Sequence, residues 1–374
     1  MNYRSSFIFV CCQVGAEGAL KKELARDYPH LKFAFSRPGF LTFKSTTSEL
    51  GLDFSLESVF ARAYGLSLGQ IGTEEISKIR ETARSLKGEG SLLGLHVWER
   101  DFYPPGEEPL GFIAGNLSGP LEQELRKQDP QLFESSEKAQ VGQVILNVIV
   151  LDPGKAWMGV HLQGPENQPG GHKPWPGGKP SLALPAGSPS RAYLKLEEAL
   201  LWSGAPLRSG DTAVEIGSAP GGASFALLNH GLSVVGIDPG EMAPQVLNHP
   251  RFRHFQQPVN SILREDLPES IQWVLLDMNV QPQISLFAVD RLVSRMKDSV
   301  LGVFLTLKLN QWKIADEIPS LLEHVRAMGM VQVKAAQLAY NRQEITVFGL
   351  TRKGSQRSQD RPKRRMIGLK PGNP

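Results

Sequence analysis

The sequence predicts an α/β protein with two unlike halves, and three features of its 374 residues support this. After Ser190, strand-like and helix-like segments alternate, which is typical of a doubly wound and mainly parallel sheet. Before residue 164, strands and helices follow one another in the less regular order of an α+β arrangement. Between the halves, residues 164–189 are rich in proline and glycine, which excludes a helix or a central strand. We therefore predict a linker over 164–189.

The composition is that of an ordinary globular protein and excludes several kinds of site. Apolar residues make up 41% and charged residues 21% of the chain, and the formal net charge is +3. Cys11 and Cys12 are adjacent and no CxxC occurs, so neither a disulfide framework nor a zinc site is indicated. No apolar run approaches the roughly 20 residues that span a bilayer. We expect a cytoplasmic protein that uses no metal and no membrane.

The first half contains two predicted α+β units. Two apolar runs around a helical pattern, followed by a turn at Pro38 and Gly39, predict a ferredoxin-like unit over residues 1–72. Its elements are strand 7–12, helix 16–28, and strands 31–35 and 40–43. The next unit covers residues 73–163 and ends in two apolar strands joined by a turn at Asp152, Pro153 and Gly154. Its elements are helix 74–86, strand 92–98, helix 121–127, and strands 144–151 and 156–162.

The second half is predicted as one domain over residues 190–351. Helical periodicity and short apolar runs alternate there, as expected of a parallel sheet covered on both faces. Its elements are helix 192–202, strand 212–216, helix 223–228, strand 233–237, strand 271–276, helix 287–296, strand 301–307, helix 315–328, and strands 331–335 and 344–350.

The last 23 residues, 352–374, form a basic tail. They contain eight lysines and arginines but a single acid, Asp360. A basic segment of this composition is expected to be disordered and to suit a polyanion such as RNA. The alternative is a tail that only increases solubility.

The glycine-rich turn Gly217–Gly222 is the clearest functional signal. It follows the apolar strand 212–216 and precedes a helix, so a ligand can approach bare backbone amides. Asp238 ends the next strand, where an acid can bind the hydroxyls of a ribose. Because Ala219 replaces a glycine and Pro220 lacks an amide donor, a pyrophosphate is a poor fit. S-adenosylmethionine, which has none, fits better than NAD.

Four further residues are candidates for the chemistry. Lys195 lies on the first helix of the domain, Asp277 and Lys308 each follow an apolar strand, and Glu344 begins the last strand. The carboxyl ends of parallel strands meet in one crevice, so Asp277 and Lys308 are expected near the cofactor. A lysine after so apolar a strand is costly unless it is paired or functional. Taken one at a time, each of the four is equally compatible with a solvated charge at a strand end.

Several segments together resemble the Rossmann-type RNA ribose 2′-O-methyltransferases. They are Ser-Arg-Ala-Tyr-Leu-Lys-Leu-Glu-Glu-Ala, Gly-Ser-Ala-Pro-Gly-Gly, Leu-Leu-Asp-Met, Leu-Lys-Leu and Asn-Arg-Gln-Glu-Ile-Thr-Val. Lys195, Asp277, Lys308 and Glu344 match the Lys-Asp-Lys-Glu tetrad of these enzymes in order. The chain is most similar to the bacterial 23S rRNA cytidine 2′-O-methyltransferase family. The likeness is strong over residues 185–351 and weaker, with a consistent layout, over 1–163.

The resemblance implies a fold, a reaction and roles for individual residues. It implies a Rossmann-like methyltransferase domain, preceded by a ferredoxin-like and THUMP-like RNA-binding half, acting on 23S rRNA or its precursor with S-adenosylmethionine. Catalysis falls to Lys308 as the base, with Lys195, Asp277 and Glu344. The implied cofactor-binding residues are Gly217, Ala219, Pro220, Gly221, Gly222, Asp238, Asn260 and Asp277. Asn260 stands where a family member has an acid near the adenine, and Ala192 where it has a serine.

The implied mechanism depends on the protonation of Lys308. A ribose 2′-hydroxyl is a poor nucleophile until its proton is removed, and an amine can accept that proton only when neutral. Burial and the neighbouring Lys195 lower the pKa of Lys308, whereas Asp277 and Glu344 raise it. We expect RNA docking to shift this balance. Two other functions remain compatible with the sequence: a non-catalytic RNA-binding or ribosome-assembly factor with a vestigial methyl-donor site, and a nucleotide-dependent oxidoreductase.

Overall fold

The computed structural model describes residues 3–87, 93–109, 113, 115–133, 138–165, 171–296 and 298–360. Two seven-stranded sheets, one in each half of the chain, form its framework. The elements of the first half are β1 (Arg4–Ser5), β2 (Phe7–Cys11), α1 (Glu17–Asp27), β3 (Leu31–Arg37), β4 (Phe40–Ser45), β5 (Leu50–Gly51), β6 (Ala63–Gly72), α2 (Ile76–Leu86), β7 (Gly94–Glu99), α3 (Ser118–Gln128), β8 (Val144–Asp152) and β9 (Lys155–Leu162).

The elements of the second half alternate as predicted, apart from a short helix and a strand over residues 244–255 that the sequence did not predict. They are α4 (Ala192–Ser203), β10 (Thr212–Ile216), α5 (Gly222–Asn229), β11 (Ser233–Ile237), α6 (Pro244–Leu247), β12 (Phe252–Phe255), β13 (Trp273–Asp277), α7 (Pro282–Met296), β14 (Gly302–Lys308), α8 (Ile318–Ala327), β15 (Gln332–Ala336), β16 (Glu344–Leu350) and α9 (Arg352–Gln359). Short 3₁₀ turns lie at Pro176–Gly178, Val259–Ser261, Arg264–Asp266 and Trp312–Glu317.

The first sheet has the order β3-β4-β2-β6-β9-β8-β7 and is antiparallel except for the pair β7–β8. Strand β6, which the sequence did not predict, pairs with β2 on one side and with β9 on the other. The two units predicted on either side of residue 72 therefore share one sheet. The THUMP-like assignment of residues 73–163 stays a prediction.

The second sheet has the order β12-β11-β10-β13-β14-β16-β15. Strands β10 to β14 run parallel, and β16 is antiparallel to both of its neighbours. This confirms the predicted doubly wound, mainly parallel domain. The parallel strands end on the side where β16 begins, since Lys308 at the end of β14 pairs with Glu344 at the start of β16. The three carboxyl ends of β10, β13 and β14 are thus brought together at one edge.

The predicted disorder of the basic tail is wrong for its first eight residues. Arg352–Gln359 forms helix α9, in which the Thr351 hydroxyl accepts a hydrogen bond from the amide of Gly354 (3.2 Å) and caps the helix. One terminal nitrogen of Arg357 donates to both carboxylate oxygens of Asp211, at 2.8 and 2.9 Å. These contacts hold α9 against the sheet. Residues 361–374 lie outside the described part of the chain.

The described part of the predicted linker, 171–189, is mostly irregular, as expected, but it is not a plain surface segment. Lys173 and Trp175 line a cavity of about 530 Å³ between the two halves. The ammonium group of Lys173 is buried and has no hydrogen-bond partner. Within the described residues, no helix is both long and apolar enough to cross a membrane.

Candidate active site

The glycine-rich turn between β10 and α5 is shaped by positions that only glycine can occupy. Gly217 has φ +80° and Gly221 has φ +111°, which disfavours any side chain. A Cβ on Gly217 would collide with the carbonyl oxygen of Asp277, so the turn passes directly beside the end of β13. A Cβ on Gly222 would collide with the hydroxyl of Ser190, just before α4. The turn therefore lies against the elements that carry Asp277 and Lys195.

Asp238 follows β11 and its carboxylate is fixed beside this turn. One oxygen accepts a hydrogen bond from the amide of Ala219 (3.2 Å), and the other accepts one from the amide of Gly240 (2.7 Å). The acid and the turn thus form one site, as the sequence predicted for the ribose of a nucleoside. This backbone cradle and carboxylate fit S-adenosylmethionine, because they offer hydroxyl acceptors and bare amides without a cluster of phosphate ligands.

Lys195, Asp277, Lys308 and Glu344 form a closed ring of charges at the ends of the strands. Lys195 contacts Asp277 and also Glu344, the latter at 3.1 Å. Lys308 contacts Asp277 at 2.7 Å and also Glu344. Each lysine therefore bridges both carboxylates, and the ring is electrically neutral. Its side chains are between 5% and 20% exposed, which leaves an opening through which a substrate can reach the lysines.

The ring determines the charge state of two of its members. Burial would raise the pKa of Asp277, but the ammonium groups of Lys195 and Lys308 outweigh it and lower that pKa below its usual value. Burial would likewise lower the pKa of Lys308, but Asp277 and Glu344 raise it above its usual 10.5. In this state of the protein, the two carboxylates therefore outweigh burial, and the amine of Lys308 is charged.

Glu215 lies within β10 below the ring and was not predicted from the sequence as a site residue. Its side chain is buried and accepts a hydrogen bond from the Ser224 hydroxyl on α5. Burial raises its pKa to about 8, and the nearby charges of Asp277 and Asp238 add to the effect. The signal was present in the sequence, because an acid in the middle of an apolar parallel strand is costly unless it is neutral or paired.

The two departures from the family pattern have different surroundings. Ala192 lines a small cavity of about 30 Å³ together with Lys195, Glu215 and Asp277. Its amide donates to the hydroxyl of Ser190 (3.3 Å), so a serine side chain is present two residues away.

Asn260 lies in the 3₁₀ turn after β12 and is exposed. Its carbonyl oxygen accepts hydrogen bonds from Arg291 at 3.1 Å. The predicted contact of the Asn260 side chain with the adenine stays a prediction.

Comparisons with known proteins agree with this geometry. A family model described as FtsJ-like methyltransferase matches residues 189–356. Ribosomal RNA large subunit methyltransferase M of Halorhodospira halophila is 26% identical over 348 residues, covering 90% of this chain and 94% of that protein. The protein of the same name from Alkalilimnicola ehrlichii is 35% identical over 186 residues, covering 48% of this chain and 50% of its own length.

Among solved structures, TrmN from Thermus thermophilus covers 92% of this chain and 99% of its own, with 15% identity and a TM-score of 0.32. The sequence matches extend over both halves of the chain, whereas the family model covers the glycine-rich turn, the acid after β11 and the charged ring. Residues 189–356 are thus similar to the FtsJ-like methyltransferases, and the protein is an enzyme with S-adenosylmethionine as methyl donor.

Proposed function

We propose that this protein transfers a methyl group from S-adenosylmethionine to the 2′-hydroxyl of a ribose in 23S rRNA. The closed ring of Lys195, Asp277, Lys308 and Glu344 beside the glycine-rich turn carries this proposal. The relatives named large subunit rRNA methyltransferase M support rRNA as the substrate. The choice of a cytidine rests on family resemblance alone.

The ring is suited to removing a proton from a sugar hydroxyl. When bound, S-adenosylmethionine supplies an electrophilic methyl group, so the protein has to provide a deprotonated nucleophile in the correct position. Lys308 is proposed as the base, since it ends β14 at the edge of the sheet where the glycine-rich turn lies. Its two carboxylate partners hold the amine nitrogen in one place. Lys195 completes the ring and prevents the two acids from repelling each other.

The proposed base has first to lose its own proton. In the ring, Lys308 donates hydrogen bonds to Asp277 and Glu344 and is charged. A docked ribose that displaces one carboxylate and covers the 16% exposed side chain would weaken the stabilisation of the charge. The proton then leaves to solvent, and the neutral amine accepts the proton of the 2′-hydroxyl. On this view, RNA docking activates the base.

The test combines methyl transfer with cofactor binding. Purified wild-type protein and Lys308→Ala are incubated with 23S rRNA from a strain that lacks the gene, and the nucleosides are analysed by mass spectrometry. We expect a methylated ribose with wild type and none with Lys308→Ala, while calorimetry gives nearly equal affinity for S-adenosylmethionine. Lys313→Ala, which removes an exposed lysine five positions further along, serves as the matched control.

Two results would contradict the proposal in different ways. A fully active Lys308→Ala variant excludes this lysine as the base. A methyl group found on a base instead of a ribose excludes the 2′-hydroxyl as the acceptor. If the methylated ribose belongs to another nucleotide, only the cytidine assignment is wrong.

A further inference from the structure

The two faces of the first sheet have different surroundings. On one face, buried residues of α1, α2 and α3 pack with strand residues such as Ile8 and Val148 in the main core. The opposite face holds a second cluster made of strand residues: Phe9, Cys11, Phe40, Trp98, Ile149 and Leu151. Phe35 and Trp157 lie partly buried against this second cluster, so their rings are at its surface.

Phe35 and Trp157 form an ordered column on that face. Their rings stack with centroids 5.6 Å apart and planes inclined by 16°. The indole nitrogen of Trp157 donates a hydrogen bond to the hydroxyl of Ser67 (2.8 Å), which fixes the orientation of the ring. The guanidinium carbon of Arg37 lies 5.1 Å from the centroid of Phe35. The column therefore combines aromatic faces with a planar cation, and both are platforms for stacking a nucleobase.

Cationic side chains continue from this column across the neighbouring strands. The register pairs Lys32 of β3 with Lys44 of β4, and Lys44 with Phe7 of β2, so these three share one face. The ammonium group of Lys44 lies 5.7 Å from the centroid of Phe7, whose side chain is 38% exposed. Asp152, which adjoins Arg37 at 3.6 Å, also pairs with Arg100. The acid in this region is thus neutralised and the surface stays cationic.

We propose that single-stranded RNA binds to this aromatic-basic face, defined as Phe7, Lys32, Phe35, Arg37, Lys44 and Trp157. Bases stack on the column while lysines contact the phosphates, a combination suited to unpaired nucleotides instead of a duplex. The rings alone would also suit a protein partner. The lysines that lie opposite each other on β3 and β4, Lys32 and Lys44, favour a polyanion instead. The inference rests on the proposed function, in that RNA is the substrate, and assigns the place where the first half holds it.

The test uses the full-length protein and a fluorescein-labelled oligoadenylate, with binding followed by fluorescence anisotropy. Phe35→Ala is expected to weaken binding about tenfold, because removing one stacking ring costs about 1–3 kcal/mol. The double variant Lys32→Ala with Lys44→Ala is expected to lower the slope of log Kd against log salt by about 1.4, since it removes two phosphate contacts. Thermal melting of each variant shows whether the fold is retained.

Phe33→Ala provides the matched control. Phe33 lies on the same strand, is 49% exposed and has the ammonium group of Lys21 at 3.9 Å from its ring, but the register pairs it with Phe43 of the main core. Its removal deletes a more exposed ring with a neighbouring cation from the opposite face. We expect this variant to bind the oligonucleotide as wild type does.

The inference is overturned if Phe35→Ala binds normally, or if Phe33→Ala loses as much affinity. It is also overturned if wild type binds a blunt RNA duplex more tightly than oligoadenylate, or binds neither. Failure of the proposed function looks different, because the oligonucleotide would bind through the aromatic-basic face while 23S rRNA stayed unmethylated. Conversely, methylation of 23S rRNA with an unaffected Phe35→Ala variant rejects this face alone.

Discussion

Replacing Glu344 by glutamine tests the assignment of the base most directly. The pKa of Lys308 lies above 10.5 because Asp277 and Glu344 together outweigh burial. At pH 7.5 the resting amine is therefore almost entirely protonated, and its deprotonation adds to the barrier of the wild-type reaction.

The expected shift follows from the geometry of the ring. Glu344→Gln keeps the size of the side chain and removes one of the two negative charges that contact Lys308. An opposite charge at this separation typically changes a pKa by about 1–3 units, and the partial exposure of the ring favours the lower part of this range. We therefore expect the pKa of Lys308 to fall by roughly 1–2 units. The neutral fraction at pH 7.5 then rises about tenfold to a hundredfold.

The assay is single-turnover methyl transfer with saturating enzyme and S-adenosylmethionine, followed from about pH 6.5 to about 9.5. Wild type is expected to gain rate with rising pH until the amine of Lys308 is neutral in the RNA complex. Glu344→Gln should level off at lower pH, with a lower plateau because the amine is held less well. Glu323→Gln, which alters an exposed carboxylate on α8, should follow wild type. The assignment of Lys308 as the base would be refuted if the wild-type rate did not change with pH. It would also be refuted if the rate depended on pH in the same way in Glu344→Gln as in wild type.

Three further outcomes concern stability. Burial lowers the pKa of Lys173 to about 8, so the unfolded chain binds more protons than the folded protein between about pH 8 and 10.5. The free energy of unfolding, measured with urea, should therefore rise over this range by at most about 3 kcal/mol in wild type. It should not rise in this way in Lys173→Met. Burial raises the pKa of Glu215 to about 8, so wild type should lose stability as the pH rises from 4.5 to 8. Glu215→Gln should not lose stability over this range and should be more stable than wild type at pH 8. Equal pH profiles of the two proteins would contradict this. Arg357→Ala leaves Asp211 without its charged partner and should lower the free energy of unfolding by about 2–3 kcal/mol, measured by the same titration, with Arg352→Ala on the first turn of α9 as a control.

The strands of the second sheet could be predicted, apart from β12, because their patterns depend mainly on burial. The parallel strands β10 and β11 and the antiparallel strand β16 were predicted with the bounds that the structure shows, since each is a mainly apolar run closed by a turn residue or a charge. The charged ring could be anticipated for a related reason. A lysine or an acid directly after such a run ends at the edge where all parallel strands end.

Strand β6 could not be predicted because it is rich in glycine, and one of these glycines, Gly65, is required by a contact with a distant part of the chain. Its sequence, AYGLSLGQIG, has three glycines and weak alternation. A Cβ on Gly65 would lie 2.8 Å from the ring of Phe9 on β2, so that ring occupies the space above the strand. Helix α9 was missed for a similar reason. It has no apolar stripe, and its ion pair joins residues 146 positions apart.

The ring of four charges also explains why local reasoning about Lys308 was incomplete. Considered from the sequence, Lys195 is a like charge that lowers the pKa of Lys308. In the structure, Lys195 shares both carboxylates with Lys308, so its charge is already compensated within the ring. The remaining effect on Lys308 is attraction, and the resting site holds its protons. A base built in this way is inactive until a ligand disturbs an ion pair, which protects the methyl donor from reaction in the absence of RNA.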